Sequence, residues 1–130
     1  MATDSFHILS VDDFEPWRRI VCSRLQERPD LQVVGEASDG LEAVQKAQEL
    51  QPDLILLDIG LPTLDGIEAA RRLRSVLPQS KILFVSQESS DDVVREALST
   101  GARGYVVKEN ASDLLSAVNA ALGQVEELSR

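Results

Sequence analysis

The sequence predicts a doubly wound α/β domain, a five-stranded parallel sheet in which every strand is followed by a helix. Three observations carry this. Five short runs rich in Val, Ile and Leu recur along the chain. Several of them are continuous rather than alternating, which marks strands buried on both faces. Between them lie segments with apolar residues at helical spacing, so strand and helix alternate five times.

The first run is His7–Val11 (HILSV). The helix after it carries Trp17, Ile20, Val21 and Leu25 on one stripe, with Pro16 in its first turn and Pro29 ending the pattern. The second run is Leu31–Val34, and its helix shows Leu41, Val44, Ala47 and Leu50 before Pro52. The third is Leu54–Leu57 (LILL), followed by Ile67, Ala70, Leu73 and Leu77 before Pro78. The fourth is Ile82–Val85; Ser90 or Asp91 opens the next helix, Val93, Val94, Ala97 and Leu98 form its stripe, and Gly101 closes it. The fifth is Tyr105–Val107, followed by Leu114, Leu115, Val118 and Leu122, with Ser112 as the expected N-cap and Gly123 as the stop. Residues 1–123 read as one domain, and the polar residues 124–130 as a frayed tail or the start of a linker.

Composition narrows the chemistry. With 43% apolar and 27% charged residues in 130, the chain can bury a core without disulfide or metal. A net charge of −9 disfavours direct binding to a nucleic acid backbone but not to a cation. Cys22 is the only cysteine, which removes an intrachain disulfide and a Cys-rich zinc site, and His7 is the only histidine around which a His-based metal site or a Ser-His-Asp triad could be built. No apolar run is long enough for a membrane span, and the N-terminus has no secretory pattern, so a cytoplasmic location is the default.

Open parallel sheets bind ligands beyond the carboxyl ends of their strands, near the point where strand order reverses. The first run is followed by Asp12 and Asp13, the third by Asp58, the fourth by Ser86 and the fifth by Lys108. The second, followed by Gly35 and Glu36, offers nothing comparable. With strands in the order 2-1-3-4-5, the first and third flank the switch point. Asp12, Asp13 and Asp58 then share one crevice. Carboxylates held that close must protonate or share a cation, and hard oxygen ligands with room for water suit Mg²⁺.

This constellation resembles the receiver domain of two-component response regulators, over essentially the whole chain. The resemblance rests on the pair Asp12-Asp13, the segment LILLDIGLPTLDGIEA with Asp58, Pro62 and Gly66, then Ser86 and Lys108, each in order. It implies a flavodoxin-like (βα)5 fold of the CheY type. It implies that Asp58 accepts a phosphoryl group from a phosphohistidine of a sensor histidine kinase, which suits a carboxylate nucleophile. Mg²⁺ would be held by Asp13, Asp58, the Gly60 carbonyl and Asp12, directly or through water. Lys108 and the Ser86 hydroxyl would each contact a phosphoryl oxygen. Ser86 and Tyr105 look like the family's switch pair, through which the phosphorylated state reshapes the face of the fourth helix, fifth strand and fifth helix. Such a protein is a phosphoacceptor switch rather than an enzyme with turnover.

The segments DIGLPTLDGIEAARRLR and STGARGYVVKENASDLLSAV look most like NarL/FixJ-type regulators. Those carry a C-terminal helix-turn-helix domain, which would supply DNA contact and transcriptional output; homodimerisation on activation is family practice. The chain is thus expected to be part of a longer regulator rather than a stand-alone receiver.

Plainer readings stand beside these. Asp13 could cap the first helix, Ser86 a turn, and Lys108 could be surface charge; Tyr105 could be a packing residue of its strand. Trp17 reads as part of a helix face, Cys22 as a small half-buried hydrophobe, and Arg71, Arg72 and Arg74 as a solvated face. Departures from the common family pattern are Ser86 for Thr, Gln87 for a small residue, and Glu109 after Lys108 where Pro is frequent. Gly60 leaves the site open to water, and Glu88 adds a charge near it. The residues bear on three rival functions. A degenerate receiver acting only by protein contact is kept open by Gln87. An Mg²⁺-dependent phosphatase needs an Asp where Gly60 stands. A flavin binder needs phosphate donors where Asp12, Asp13 and Glu15 stand.

Overall fold

A computed structural model describes residues 5–123; the expected tail, 124–130, lies outside them. The strands are β1 (Phe6–Val11), β2 (Leu31–Ala37), β3 (Leu54–Leu57), β4 (Lys81–Ser86) and β5 (Gly104–Val107). The helices are α1 (Glu15–Leu25), α2 (Gly40–Leu50), α3 (Gly66–Val76), α4 (Asp91–Leu98) and α5 (Leu114–Ala121). All pairings are parallel, in the order β2-β1-β3-β4-β5, as expected.

The central strands are continuous apolar runs because both of their faces are covered. All four residues of β3 are buried. Alternate residues feed two cores. Leu9, Val11, Ile55, Leu57, Ile82 and Phe84 pack with residues of α2, α3 and α4. Ile8, Leu54, Leu56, Leu83 and Val85 pack with residues of α1 and α5 on the other side.

Several local expectations change. β2 runs to Ala37, so Gly35 and Glu36 lie within the strand rather than beyond it. The β1–β2 register shifts between Ile8 and Leu9, where Val33 and Gly35 are the successive partners; the extra residue lengthens β2. Gly35 itself is covered by Leu50, whose Cδ1 would lie 2.7 Å from an added Cβ. α1 ends at Leu25, before Pro29, which sits in the turn leading to β2. Ser90, not Asp91, caps α4 by accepting from Val93 N–H. α4 ends at Leu98, and Gly101 follows in the left-handed region at φ +95°.

Ser112 does not cap α5. A 3-10 segment, Lys108–Asp113, precedes that helix, and the Leu114 N–H bonds the Ala111 carbonyl. The first turn is therefore satisfied by backbone already wound, and no side-chain cap is required. The apolar stripes also hold only in part. Ile20, Leu41, Leu50 and Leu98 are exposed, whereas Ile67, Ala70, Leu73 and Leu77 are all buried. α2 instead buries its small residues Gly40, Ala43 and Ala47, because it lies close to the sheet and α3. No helix among the described residues is long and apolar enough to cross a membrane.

Candidate functional site

Register builds the site. Val11 of β1 pairs with Leu57 of β3, so the next residues, Asp12 and Asp58, leave neighbouring strands at one level. Backbone bonds fix both: Asp12 N–H donates to the Ala37 carbonyl at 3.0 Å, and Asp58 N–H to the Val11 carbonyl at 3.1 Å. Ser86 ends β4 opposite Val107 of β5, and Lys108 follows directly. Asp13, Asp58, Gly60, Ser86 and Lys108 line one open cleft of about 400 Å³, with Phe14, Gln87 and Glu88 beside them. Asp12 lies beneath.

Asp12, Asp13 and Asp58 each bring a carboxylate oxygen to within 4.8 Å of the others. Asp12 and Asp58 are buried and Asp13 is exposed. Asp12 Oδ1 accepts from Phe14 N–H at 2.9 Å, and Asp58 Oδ1 from Ile59 N–H at 2.7 Å. Phe14 is the residue preceding α1 and no side chain caps that helix, so Asp13 is not its cap. Lys108 Nζ stands 2.6 Å from Asp12 Oδ2 and 3.6 Å from Asp58 Oδ2. The closer contact partners the buried Asp12 Oδ2 with the Lys108 ammonium. Burial pushes the Asp12 carboxyl above its ordinary pKa; Lys108 and the Phe14 N–H pull it back, and the Asp58 charge adds to the rise.

This donor set fits a hard divalent cation. Three carboxylates converge, two of them balanced by a single Lys108 ammonium, and a Cβ at Gly60 would meet nothing within 4 Å. Gly66 has the opposite environment. An added Cβ would lie 1.9 Å from the Asp58 carbonyl oxygen, so α3 begins against the Asp58 backbone. Gly66 N–H also donates to the Ile59 carbonyl at 2.8 Å, closing the loop.

Ser86 and Tyr105 meet at one peptide segment. Ser86 Oγ accepts from Glu88 N–H at 3.3 Å, and the Tyr105 hydroxyl donates to the Glu88 carbonyl at 2.7 Å. Tyr105 is half-buried and packs against Phe84, ring centroids 6.0 Å apart. Burial holds its phenol above the ordinary range, so it stays a donor. Gln87 is exposed at the rim.

Two neighbours of the site carried no signal in the sequence. Trp17 is half-buried, and Lys108 Nζ lies 5.3 Å from its ring centroid, a cation–π distance. Arg18 reaches the Asp12 carbonyl with Nη1 at 2.6 Å and Glu36 Oε1 with Nε at 2.7 Å. Both link residues far apart in the chain. Cys22 is half-buried as expected, its Sγ 4.0 Å from Glu36 Oε2. Arg71 and Arg72 form exposed ion pairs with Glu68 and Glu96.

Comparison with known proteins gives a consistent result. Residues 8–119 match the response regulator receiver domain family. The response regulator protein VraR of Staphylococcus aureus is 41% identical over 112 residues, 85% of this chain and 54% of VraR. The chain thus spans about half the length of the curated relatives it matches. The response regulator domain of Thermotoga maritima CheB superposes with a TM-score of 0.84 at 34% identity, covering 94% of this chain and 98% of that domain. A LuxR-family two-component response regulator from Aurantimonas sp. gives 0.87 at 32% identity, covering 92% and 86%. The receiver domain of the putative response regulator NarL from Mycobacterium tuberculosis gives 0.88 at 28%, covering 95% and 100%.

Proposed function

The chain belongs to the response regulator receiver domain family, and from that premise we propose that Asp58 is its phosphoacceptor, taking a phosphoryl group from the phosphohistidine of a sensor kinase. The observation that carries this reading is the convergence of Asp12, Asp13 and Asp58 beside Lys108 at one end of the sheet.

The residues divide the work by position. Asp58 sits at the floor of the cleft, one oxygen held by Ile59 N–H and the other toward Lys108. An oxygen of Asp58 forms the bond to phosphorus as the phosphorus–nitrogen bond of the donor breaks in line, and the imidazole takes up a proton. Lys108 moves its charge from the carboxylates to a phosphoryl oxygen, and the Ser86 hydroxyl donates to another. Asp12, Asp13, Asp58 and the Gly60 carbonyl would hold Mg²⁺, which supplies charge neutralisation when bound. Drawing Ser86 toward the phosphoryl group competes with its bond to Glu88 N–H. That loosens the Glu88 segment on which Tyr105 rests, and so favours a second arrangement of the α4–β5–α5 face.

The domain acts as a switch and turns over no substrate beyond its own phosphoryl group. We take residues 1–123 as the receiver unit and residues 124–130 as a frayed tail or the start of a linker. That output is transcriptional, through a DNA-binding domain of the helix-turn-helix type, in a cytoplasmic regulator that dimerises when activated. The transcriptional reading is supported by the LuxR-family and NarL neighbours and by the half-length coverage of VraR; dimerisation and location follow from the family resemblance alone.

The test is incubation with Mg²⁺ and acetyl phosphate followed by intact mass measurement, beside Asp58→Asn. We expect a single phosphoryl adduct on the native chain and none on the variant. A native chain that binds Mg²⁺ yet takes no adduct would instead be a receiver signalling by protein contact alone.

A further inference from the structure

Besides the Lys108 ion pair at Oδ2, Asp12 is restrained at three further atoms. Its N–H is held by Ala37, its Oδ1 by Phe14 N–H, and its carbonyl by Arg18 Nη1. The first two bonds are backbone in origin at one end and follow from the strand and the turn. The third is a charge-assisted bond from a side chain on α1 to the peptide that joins Asp12 to Asp13. Arg18 is itself fixed, because its Nε donates to Glu36 of β2 and its side chain is only 16% exposed. A guanidinium suits this, offering two donors in one rigid fork. Asp13 is exposed, and the direction of its side chain follows the peptide before it.

We propose that Arg18 is a positioning residue for the cation site, holding the Asp12–Asp13 peptide so that both carboxylates stay within reach of Asp58, with Glu36 as its anchor. This rests on the reading of Asp12 and Asp13 as Mg²⁺ ligands. Charge and geometry make opposite demands on Arg18. Arg18 is a cation beside an acidic cluster, so by charge alone its loss would strengthen Mg²⁺ binding. As a positioning group its loss weakens binding, as removal of outer partners of metal ligands does.

The experiment is a Mg²⁺ titration of isotope-labelled native protein, Arg18→Met, Arg18→Lys and Glu36→Gln, followed by amide shifts, with the Asp12 carbonyl carbon shift recorded before metal is added. We expect Arg18→Met to weaken Mg²⁺ about ten-fold and to move the Asp12 carbonyl shift upfield. Arg18→Lys recovers part of the affinity, and Glu36→Gln, which keeps the Arg18–Asp12 bond with a weaker anchor, loses less than Arg18→Met. Equal or tighter Mg²⁺ binding by Arg18→Met overturns the proposal. Should Arg18→Met fail to fold, Arg18→Gln takes its place, and equal or tighter Mg²⁺ binding by that variant overturns the proposal. If the native protein takes no Mg²⁺, the metal reading fails by itself, and an unmoved Asp12 carbonyl shift in Arg18→Met then rejects Arg18 as its holder.

Discussion

Two glycines bracket the Asp58 loop and obey different constraints. Gly66 is required by space, since a Cβ there would overlap the Asp58 carbonyl at 1.9 Å, backbone against backbone. Gly60 has open space around its Cα. We therefore expect Gly66→Ala to destabilise the fold by about 1–3 kcal/mol, and Gly60→Ala to change stability by no more than about 0.5 kcal/mol. Urea unfolding of the two variants checks this. The sequence shows a Gly at both positions and cannot tell them apart. Lys108 is a similar case: its place after the fifth apolar run was legible, while its contact with Trp17 was not.

At the scale of elements, the ends of helices matter more than their stripes. α2 opens on Asp39, whose carboxylate accepts from Glu42 N–H at 2.8 Å, while Glu42 Oε1 reaches back to Ser38 N–H at 2.8 Å. The Ser38 N–H, with smaller help from Lys46 and the Ser38 hydroxyl, holds the Glu42 carboxyl below the usual range. A depressed folded pKa means that this stabilisation is complete above the unfolded value and is lost as pH falls through the folded one. Glu42→Gln should therefore be less stable than the native protein at neutral pH and converge with it in acid; unfolding curves across pH test the sign. Asp39→Ala should cost about 1 kcal/mol. The β5–α5 connection is governed by another chain segment altogether. Arg24 on α1 donates to the Ala111 carbonyl at 3.1 Å, holding the 3-10 segment that starts with Lys108.

The whole molecule is three layers sharing one sheet. α2, α3 and α4 cover one face and α1 and α5 the other, so each central strand serves two cores. Leu57 is fully buried in the first core, one residue before Asp58. Leu57→Ala should cost about 2–5 kcal/mol. Because both cores depend on β3, urea unfolding should remain a single transition by both fluorescence and circular dichroism. Separate transitions would mean that the layers fold independently. Trp17, the only tryptophan, reports from the α1 side, while helicity reports from both.

Alternation of apolar runs with helical stripes determined the fold class, and the strand-end positions of Asp12, Asp13, Asp58, Ser86 and Lys108 determined where to look for chemistry. Those signals are local, since they depend on residues next to each other or one helical turn apart. Tertiary structure alone decided the rest. β2 gained Gly35, Glu36 and Ala37 because their pairing partners lie on β1, more than 20 residues earlier. Ser112 lost its expected capping role because the preceding segment was already wound and tied to α1 through Arg24. Arg18 became part of the site only when β1, α1 and β2 came together, bringing Asp12 and Glu36 to the two sides of one guanidinium. A periodicity registers which residues face a core. It carries no record of which polar groups on other elements meet at its edge.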